Sequence, residues 1–372
     1  MGENLSTFGT FPEDVKLYLR PTALGRAGLD LGLSLPLGAG TVTFSSLELI
    51  LRNDGRRLYQ GTFPVTSLTS LKDQLPEAAA GQFDQVLDHL TSPRQALQFS
   101  RGSSLSFAAP LVMGILNITP DSFSDGGDFF DASSVKNRAV EIFKSGADLI
   151  DVGAESTRPG ASEVPVKEEL ERLEPLFKVI RDLPGPVSID TRKAAVMAAG
   201  LAAGAGIIND VSALSFDTGA ALAANAAPGI VLMHARGDPK TMQDNPEYGD
   251  VLLDVYDYLE ARIEAAVASG ISREKLIIDP GIGFGKTTAH TLELLRGLSL
   301  FQGLGCPLLI GVSRKRFLGE LTGEKEPKKR LSSGLAAAIL AAGQGAHIIR
   351  THDVAEMRHA LAVFNEFGQG AG

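Results

Sequence analysis

Polar and ionisable residues follow eight apolar runs of this chain, and their types suit the binding of a small ligand. They are Asn117, the segment Asp151 to Arg158, Asp190, Asn209 with Asp210, His234, Asp279, Ser313 to Lys315, and Arg350 with His352. Asp190, Asn209 and Asp279 can accept hydrogen bonds from adjacent N–H groups of a heterocyclic ring. The cations that suit phosphate oxygens are Arg158, Lys315, Arg350 and His352. Together they indicate a heterocycle that carries an anionic group.

These residues end strand-like runs that alternate with helix-like segments. The runs are 111–118, 148–153, 186–190, 206–211, 229–234, 275–279, 307–312 and 346–350. The segments with apolar residues at helical spacing are 132–145, 164–181, 193–203, 217–225, 249–269, 287–300, 327–342 and 354–366. This strict alternation predicts an α/β fold, a (β/α)8 barrel. Because the strands of such a barrel are parallel, their polar C-terminal ends meet on one face and form a pocket.

Other architectures and sites fit the sequence less well. A doubly wound sheet usually has fewer units and carries a glycine-rich phosphate fingerprint after its first strand, and neither feature is present. The segment Gly281–Thr287 resembles a P-loop, but Pro280 stands where the pattern needs a glycine. The histidines lack metal-ligand spacing, and a lone Cys306 excludes a disulfide framework and a cysteine zinc site.

The first 91 residues do not continue this strict alternation, and their pattern predicts a small α+β unit of unknown role. Strands are expected at Val15–Leu19, Thr41–Leu51 and Arg57–Gly61, and a helix at Pro76–Leu90. We interpret His89 and the scattered charges of this unit as a solvated surface. The barrel domain is expected over 92–372, with a hairpin at 96–107 that could cover one of its ends.

Composition bounds the class of protein. Hydrophobic residues make up 44% and charged residues 21% of the chain, as in a folded soluble protein. The net charge of −9 argues against nonspecific binding to nucleic acid or to a membrane. With no signal peptide and no apolar run long enough to span a bilayer, the expected location is the cytoplasm.

Eight segments together resemble the dihydropteroate synthase family. They read MGILNITPDSFSDGG, IDVGAESTRPGA, VSIDT, IIND, LMH, IIDPGIGFGK, GVSRKRFLG and IIRTHDV, in this order, and the resemblance runs from about residue 97 to 366. It implies a (β/α)8 barrel that condenses 6-hydroxymethyl-7,8-dihydropterin diphosphate with 4-aminobenzoate, giving dihydropteroate and pyrophosphate. This is a step of folate biosynthesis and the target of sulfonamides. A homodimer formed through the last helices is a further family expectation.

The resemblance also implies roles for individual residues. Asn117 would coordinate Mg²⁺ beside the pyrophosphate, with an Asx-type turn as the alternative. The residues that would hold the pterin are Asp190, Asn209 and Asp279, over an apolar floor at Met233. Thr157 and Arg158 would meet the substrate and its pyrophosphate. Phe123 and Pro159 would line the 4-aminobenzoate slot, Lys315 would lie between the pterin and 4-aminobenzoate, and Phe284 is a further expected substrate-binding residue.

Arg350 and His352 would anchor the pyrophosphate, and Arg314 is expected to form a structural ion pair. Asp151 and Asp210 are interpreted as structural. The chain departs from the family pattern at Arg316, where some members have serine, at Ala235 to Gly237, and at Thr351.

The implied chemistry is an SN1-like loss of pyrophosphate followed by attack of the aromatic amine. The residues expected to act in it are Asp190, Lys315, Arg158, Arg350 and His352. Two other functions remain open: a methyltetrahydrofolate-dependent corrinoid methyltransferase domain and a non-catalytic pterin-binding protein. Neither would need the anion-binding residues, which therefore favour the synthase.

Overall fold

The computed structural model describes residues 11–12, 14–25, 33–38, 41–100, 102–118, 131–155, 163–237 and 246–366. The chain begins with an α+β unit. Its elements are β1 (Lys16–Gly25), β2 (Leu35–Pro36), β3 (Thr43–Asn53), β4 (Arg56–Pro64), α1 (Leu68–Lys72) and α2 (Glu77–Thr91). Three of these strands and the long helix were predicted. The elements β2 and α1 were not, because two and five residues are too few to show a period.

The sheet of this unit lies between its own helix and the barrel. Strand β3 is central and pairs antiparallel with β1 on one side and with β2 and β4 on the other. Leu47, Leu49 and Leu51 belong to one buried cluster with Phe83 of α2. Side chains of a strand alternate between faces, so Ile50 points the other way. It joins Tyr18 in the core cluster of the barrel.

A short hairpin, β5 (Leu97–Gln98) with β6 (Ser104–Leu105), leads into the barrel. The barrel strands are β7 (Leu111–Asn117), β8 (Leu149–Gly153), β9 (Val187–Asp190), β10 (Ile207–Asp210), β11 (Gly229–Met233), β12 (Leu276–Asp279), β13 (Leu309–Gly311) and β14 (Ile348–Thr351). The helices after them are α3 (Ala132–Lys144), α4 (Val166–Val179), α5 (Ala194–Ala203), α6 (Ala220–Ala224), α7 (Val251–Ala268), α8 (Thr288–Arg296), α9 (Arg316–Thr322), α10 (Leu331–Ala342) and α11 (Val354–Glu366).

The eight described strands form one parallel sheet in the order β12-β11-β10-β9-β8-β7-β14-β13. A parallel bridge between Ile278 and Leu308 joins its two ends and closes the barrel. Nearly every residue of the strands is buried, because helices cover the outer face and side chains fill the inside. The predicted (β/α)8 fold is confirmed.

The hairpin covers the N-terminal end of the barrel. Its Leu97 and Phe107 share a buried cluster with the inward-facing Met113 and Leu149. Gly229, at the start of β11, lies so close to Leu97 that an added Cβ would sit 2.7 Å from that side chain. This end of the barrel is therefore filled, and the opposite end is left for a ligand.

Helix bounds differ from the expectation by three residues or more at four places, and one of them is α6, which begins three residues later than predicted, at Ala220. The predicted helix 287–300 breaks at Gly297, and a 3-10 segment, Leu298–Leu304, follows α8. Helix α10 begins at Leu331, four residues later than predicted, after a 3-10 turn at Pro327–Lys329. Helix α9 was not predicted, because its seven residues end at Gly323 with a φ of 77° and are too few to show an apolar period.

The interpretation of the charges of residues 1–91 as a solvated surface is wrong for several of them. His89 Nδ1 lies 2.8 Å from the carbonyl oxygen of Gly303, and Lys16, Arg52 and Arg57 pair with carboxylates of α7. Sequence reasoning missed these contacts because they join residues roughly 200 positions apart. No helix in the described part of the chain is long and apolar enough to span a membrane.

Candidate active site

The C-terminal ends of neighbouring barrel strands place the predicted residues side by side. Asn117 pairs in register with Gly153, Gly153 with Asp190, and Asp190 with Asn209. Met233 pairs with Asp279 on the next two strands. Parallel strands in register bring equivalent positions to one level, so these side chains line one rim of the barrel.

An arginine and two carboxylates form the buried centre of this rim. Arg350 Nε donates to Asp151 Oδ2 at 2.7 Å, and its Nη2 donates to Asp190 Oδ2 at 3.2 Å. Asn209 Nδ2 donates to the same Asp151 oxygen at 3.0 Å. Asp151 is fully buried. Arg350 thus joins the predicted pterin side of the site as well as the predicted anion side.

Asp151, which the sequence analysis interpreted as structural, belongs to this cluster and accepts hydrogen bonds from Arg350 and Asn209. The alternation of side chains along β8 already indicated that Asp151 faces the inside of the barrel. Leu149 points into the barrel, so Asp151, two residues later, points to the same side. Asp210, by contrast, is structural as expected, since it accepts hydrogen bonds from the backbone N–H groups of Ser212 and Leu214.

Burial controls the charge of the carboxylates. It raises the pKa of Asp190, and the nearby Asp151 raises it further, while Arg350 opposes both effects. Asp190 Oδ1 and Asp151 Oδ1 are buried without a hydrogen-bond partner among the described residues. A buried acceptor of this kind is costly unless a donor satisfies it, so Asp190 is suited to receive N–H groups of a ligand.

The second carboxylate, Asp279, stands beside a lysine. Its Oδ1 accepts a hydrogen bond from the backbone N–H of Gly281 at 2.7 Å. Burial raises the pKa of Asp279, and Lys315 is the largest opposing influence. Burial lowers the pKa of Lys315 to about 8, although Asp279 favours its charged form. Lys315 Nζ donates to the carbonyl oxygen of Ile282 and lies 5.0 Å from the ring centre of Phe284.

A turn of closely packed backbone supports these residues. Gly281, Gly283 and Gly285 all have a φ between 60° and 82°. A Cβ at Gly281 would lie 1.8 Å from the carbonyl oxygen of His234, so no other residue fits there without a shift of the backbone. This explains the glycines of the segment that resembles a P-loop. They permit close backbone packing.

Lys286 holds this turn from inside, and sequence reasoning did not detect it. Its Nζ lies 2.9 Å from the carbonyl oxygen of Gly281, 3.0 Å from that of Phe284 and 2.8 Å from His234 Nδ1. Burial lowers the pKa of Lys286 well below its usual value and lowers that of His234 to about 2. His234 Nδ1 and Lys286 Nζ therefore share a hydrogen bond inside the turn.

The remaining predicted residues fall into two groups. His352 lies beside β14, with Nδ1 3.0 Å from Ser313 Oγ. Arg314 pairs with Asp353, which confirms its expected structural role. Phe123, Thr157, Arg158 and Pro159 lie outside the described residues. The roles assigned to His352 and to these four side chains remain predictions.

The predicted metal position offers one oxygen ligand. Asn117 is half-buried at the end of β7. The described residues contain no group of three His, Cys, Asp or Glu side chains that could enclose a metal ion. A single amide oxygen fits a Mg²⁺ ion whose other ligands are substrate phosphates and water, which is how this ion is commonly bound.

Comparison with other proteins agrees with this geometry. The family model described as pterin binding enzyme matches residues 113–352. The dihydropteroate synthase of Escherichia coli (strain K12) is 46% identical over 266 residues, covering 71% of this chain and 94% of the relative.

Solved structures give the same result. Dihydropteroate synthase of Xanthomonas albilineans with 4-aminobenzoic acid is 44% identical, with a TM-score of 0.69, and covers 75% of this chain and 100% of its own. The same enzyme in complex with 7,8-dihydropteroate is 41% identical, with a TM-score of 0.67 and the same coverage. A quarter of this chain thus has no counterpart in these structures. Over the rest, the chain belongs to the family of pterin-binding enzymes, and the relatives it resembles are dihydropteroate synthases.

Proposed function

We propose that the chain is a dihydropteroate synthase, which joins the pterin methylene of 6-hydroxymethyl-7,8-dihydropterin diphosphate to the amino nitrogen of 4-aminobenzoate. The observation that supports this most is the buried rim in which Arg350 links Asp151 with Asp190 while Asn209 and Asp279 stand nearby. Such a rim offers acceptors for the pterin and a cation on the same face of the barrel.

The pterin is held by Asp190, Asn209 and Asp279. Asp190 accepts adjacent N–H groups of the aminopyrimidine edge through the oxygen that has no other partner among the described residues. A site built around buried acceptors rejects rings that lack those donors, because the acceptors would stay unpaired. The side chain of Met233 is nearly buried beside Asp279 in register and supplies the apolar floor.

The diphosphate leaves as the C–O bond to the methylene breaks, and the electron pair goes with it. Arg158, Arg350 and His352 stabilise the charge that develops on the leaving group. Bound at Asn117, Mg²⁺ would supply further stabilisation of that charge.

The amine then forms the new C–N bond and loses one proton, which passes to the released pyrophosphate. An arylamine is nucleophilic when neutral, so a strong base is not needed. Lys315 stands between the two substrates with Phe284 near it, Phe123 and Pro159 line the slot for 4-aminobenzoate, and Thr157 contacts the substrate. Exclusion of water from the site protects the cation formed when the diphosphate leaves.

The test measures pyrophosphate release and dihydropteroate formation by the whole chain, with and without Mg²⁺. We expect Asp190→Asn to lower kcat/KM by at least about 100-fold, since the substitution replaces one carboxylate oxygen, which accepts hydrogen bonds, by an NH2 group, which donates them. Asp182→Asn is the matched control, because Asp182 is an exposed carboxylate paired with Lys136. Absence of dihydropteroate with the unaltered chain, or methyl transfer from methyltetrahydrofolate instead, would contradict the proposal.

We also propose that residues 1–91 and 92–372 are two domains and that the chain forms a homodimer through its last helices. The buried cluster of residues 15–90 supports the first point. Exposed apolar side chains at Leu340 on α10 and Val363 on α11 support the second. Sedimentation of the purified chain shows whether it is a monomer or a dimer in solution.

A further inference from the structure

One face of α7 carries a row of carboxylates that belongs to the contact with the N-terminal unit. They are Asp250 at the N-cap, Asp254, Asp257 and Glu260. Their spacing of three or four residues puts them on one side of the helix, where like charges repel one another. An unpaired row of this kind would destabilise the helix. Basic side chains of the N-terminal sheet that neutralise these carboxylates would therefore stabilise α7, which is a helix of the barrel.

Basic residues of three neighbouring strands neutralise the row. The pairs are Lys16 with Asp257 and Glu260, Arg52 with Asp254 and Asp257, and Arg57 with Asp250. Arg57 makes two contacts with Asp250, from Nε at 2.6 Å and from Nη2 at 3.1 Å, the two-point geometry in which arginine binds carboxylates most strongly. The N-terminal unit therefore contacts α7 from its N-cap to its middle.

At the N-terminal end of α7, this contact holds the segment that leads into the helix. Asp250 Oδ1 accepts the N–H of Leu253 at 3.2 Å, and Asp254 Oδ2 accepts the N–H groups of Gly249 and Asp250 at 3.1 Å. The carboxylates that receive Arg57 and Arg52 are thus the same ones that cap the helix. The sheet fixes the conformation of residues 249–254 through them.

Tyr248, which directly precedes this segment, reaches the wall of the active site. Tyr248 OH donates to the carbonyl oxygen of Gly285 at 2.8 Å, and its ring contacts His290 edge-on with the ring centres 5.0 Å apart. Gly285 lies between Phe284, which faces Lys315, and Lys286, which holds the turn from inside. A displacement of residues 249–254 would therefore move the turn that borders both substrates.

We propose that the N-terminal unit is an intramolecular brace of the active-site wall, and that Arg57 is a positioning residue for substrate binding. The contacts run from Arg57 to Asp250, through the adjoining backbone to Tyr248, and from Tyr248 to Gly285. This gives a role to the part of the chain that precedes the barrel. The kinetic half of the proposal rests on the proposed synthase activity, and the structural half does not.

The experiment compares Arg57→Gln with Arg56→Gln in the full chain. Arg56 precedes Arg57 on β4 and is exposed, so both variants lose one charge from the same strand. We expect Arg57→Gln to raise KM for the dihydropterin diphosphate by about 5-fold or more with kcat changed less than about 2-fold. Arg57→Lys should recover part of the loss, because it keeps the charge without the two-point geometry.

Hydrogen exchange supplies a readout that does not need activity. Peptides spanning residues 246–254 should exchange at least about 5-fold faster in Arg57→Gln than in Arg56→Gln. Equal exchange in the two variants would overturn the brace, and faster exchange with unchanged KM would overturn the positioning role. An unaltered chain without synthase activity would refute the proposed function, while the exchange comparison would still decide the brace.

Discussion

At the scale of single residues, the site depends on charges whose state burial has shifted. Asp190 and Asp279 have raised pKa values, and Lys315 has a lowered one. All three stand at the C-terminal ends of strands or in the loop after one, where the sequence predicted them. Their identity could be read from the sequence. Their charge could not, because it depends on the burial and on the partners that the closed barrel provides.

The pH dependence of turnover tests the state of Lys315. Its pKa of about 8 lies below the usual value for lysine, so the side chain is charged below pH 8 and becomes neutral as the pH rises through that value. Its charged neighbours are Asp279, which favours the cation, and Arg350, which disfavours it. We expect kcat/KM to fall above about pH 8.

Substitution identifies the group responsible for this fall. Arginine stays protonated throughout the accessible range, so Lys315→Arg should lack the alkaline decline even if its activity is lower at every pH. An identical decline in Lys315→Arg would show that another group titrates.

At the scale of elements, the repeated alternation of strands and helices was predictable, whereas isolated short elements and tightly packed turns were not. All eight barrel strands lie within a residue or two of their expected bounds. The turn of Gly281 to Gly285 was identified only as not being a P-loop. Its actual purpose, close contact with the backbone at His234 and Arg236, depends on residues that are distant in the sequence. For the same reason nothing in the sequence marked Lys286 as the residue that holds this turn.

Lys286→Met tests whether the turn needs its internal lysine. The variant removes the donor from the carbonyl oxygens of Gly281 and Phe284, which remain buried, so we expect a loss of about 1–3 kcal/mol of unfolding free energy. We also expect a higher KM for the pterin substrate, because Phe284 and the acceptor of Lys315 at Ile282 belong to the same turn.

The matched control is Lys275→Met at the other end of β12. Lys275 Nζ donates to the carbonyl oxygen of Asn225 at 2.8 Å, far from the site. It should lower stability modestly and leave KM unchanged. Chemical denaturation and steady-state kinetics measure both effects, and an unchanged KM in Lys286→Met would contradict the role of the turn.

At the scale of the whole molecule, the N-terminal unit and the barrel share both apolar and charged contacts. Tyr18 and Ile50 lie in the core cluster of the barrel, and the basic residues of the sheet neutralise α7. The change of sequence pattern near residue 91 predicted a domain boundary. Such a boundary does not reveal how much surface the two units bury against each other. We therefore expect one cooperative unfolding transition.

Arg94 is the residue at which this expectation can be tested most directly. It follows α2 and is buried, and it donates to the carbonyl oxygens of His89, at 2.7 Å, and of Gln302, at 2.9 Å, so one side chain joins the two units. Burial lowers its pKa to about 10, which still leaves it charged at neutral pH. Arg94→Met leaves these carbonyls unpaired and should lower the unfolding free energy by about 2–4 kcal/mol.

The number of unfolding transitions shows whether the two units unfold together or independently. If the units are coupled, the melt of Arg94→Met shifts to lower temperature as a single transition, whether it is followed by circular dichroism or by loss of activity. Arg138→Met, at an exposed position of α3, is the control and should change stability by less than about 0.5 kcal/mol. Two separate transitions in Arg94→Met, with the barrel melting where it did before, would mean that the N-terminal unit is stable without its contacts to the barrel and cannot brace it.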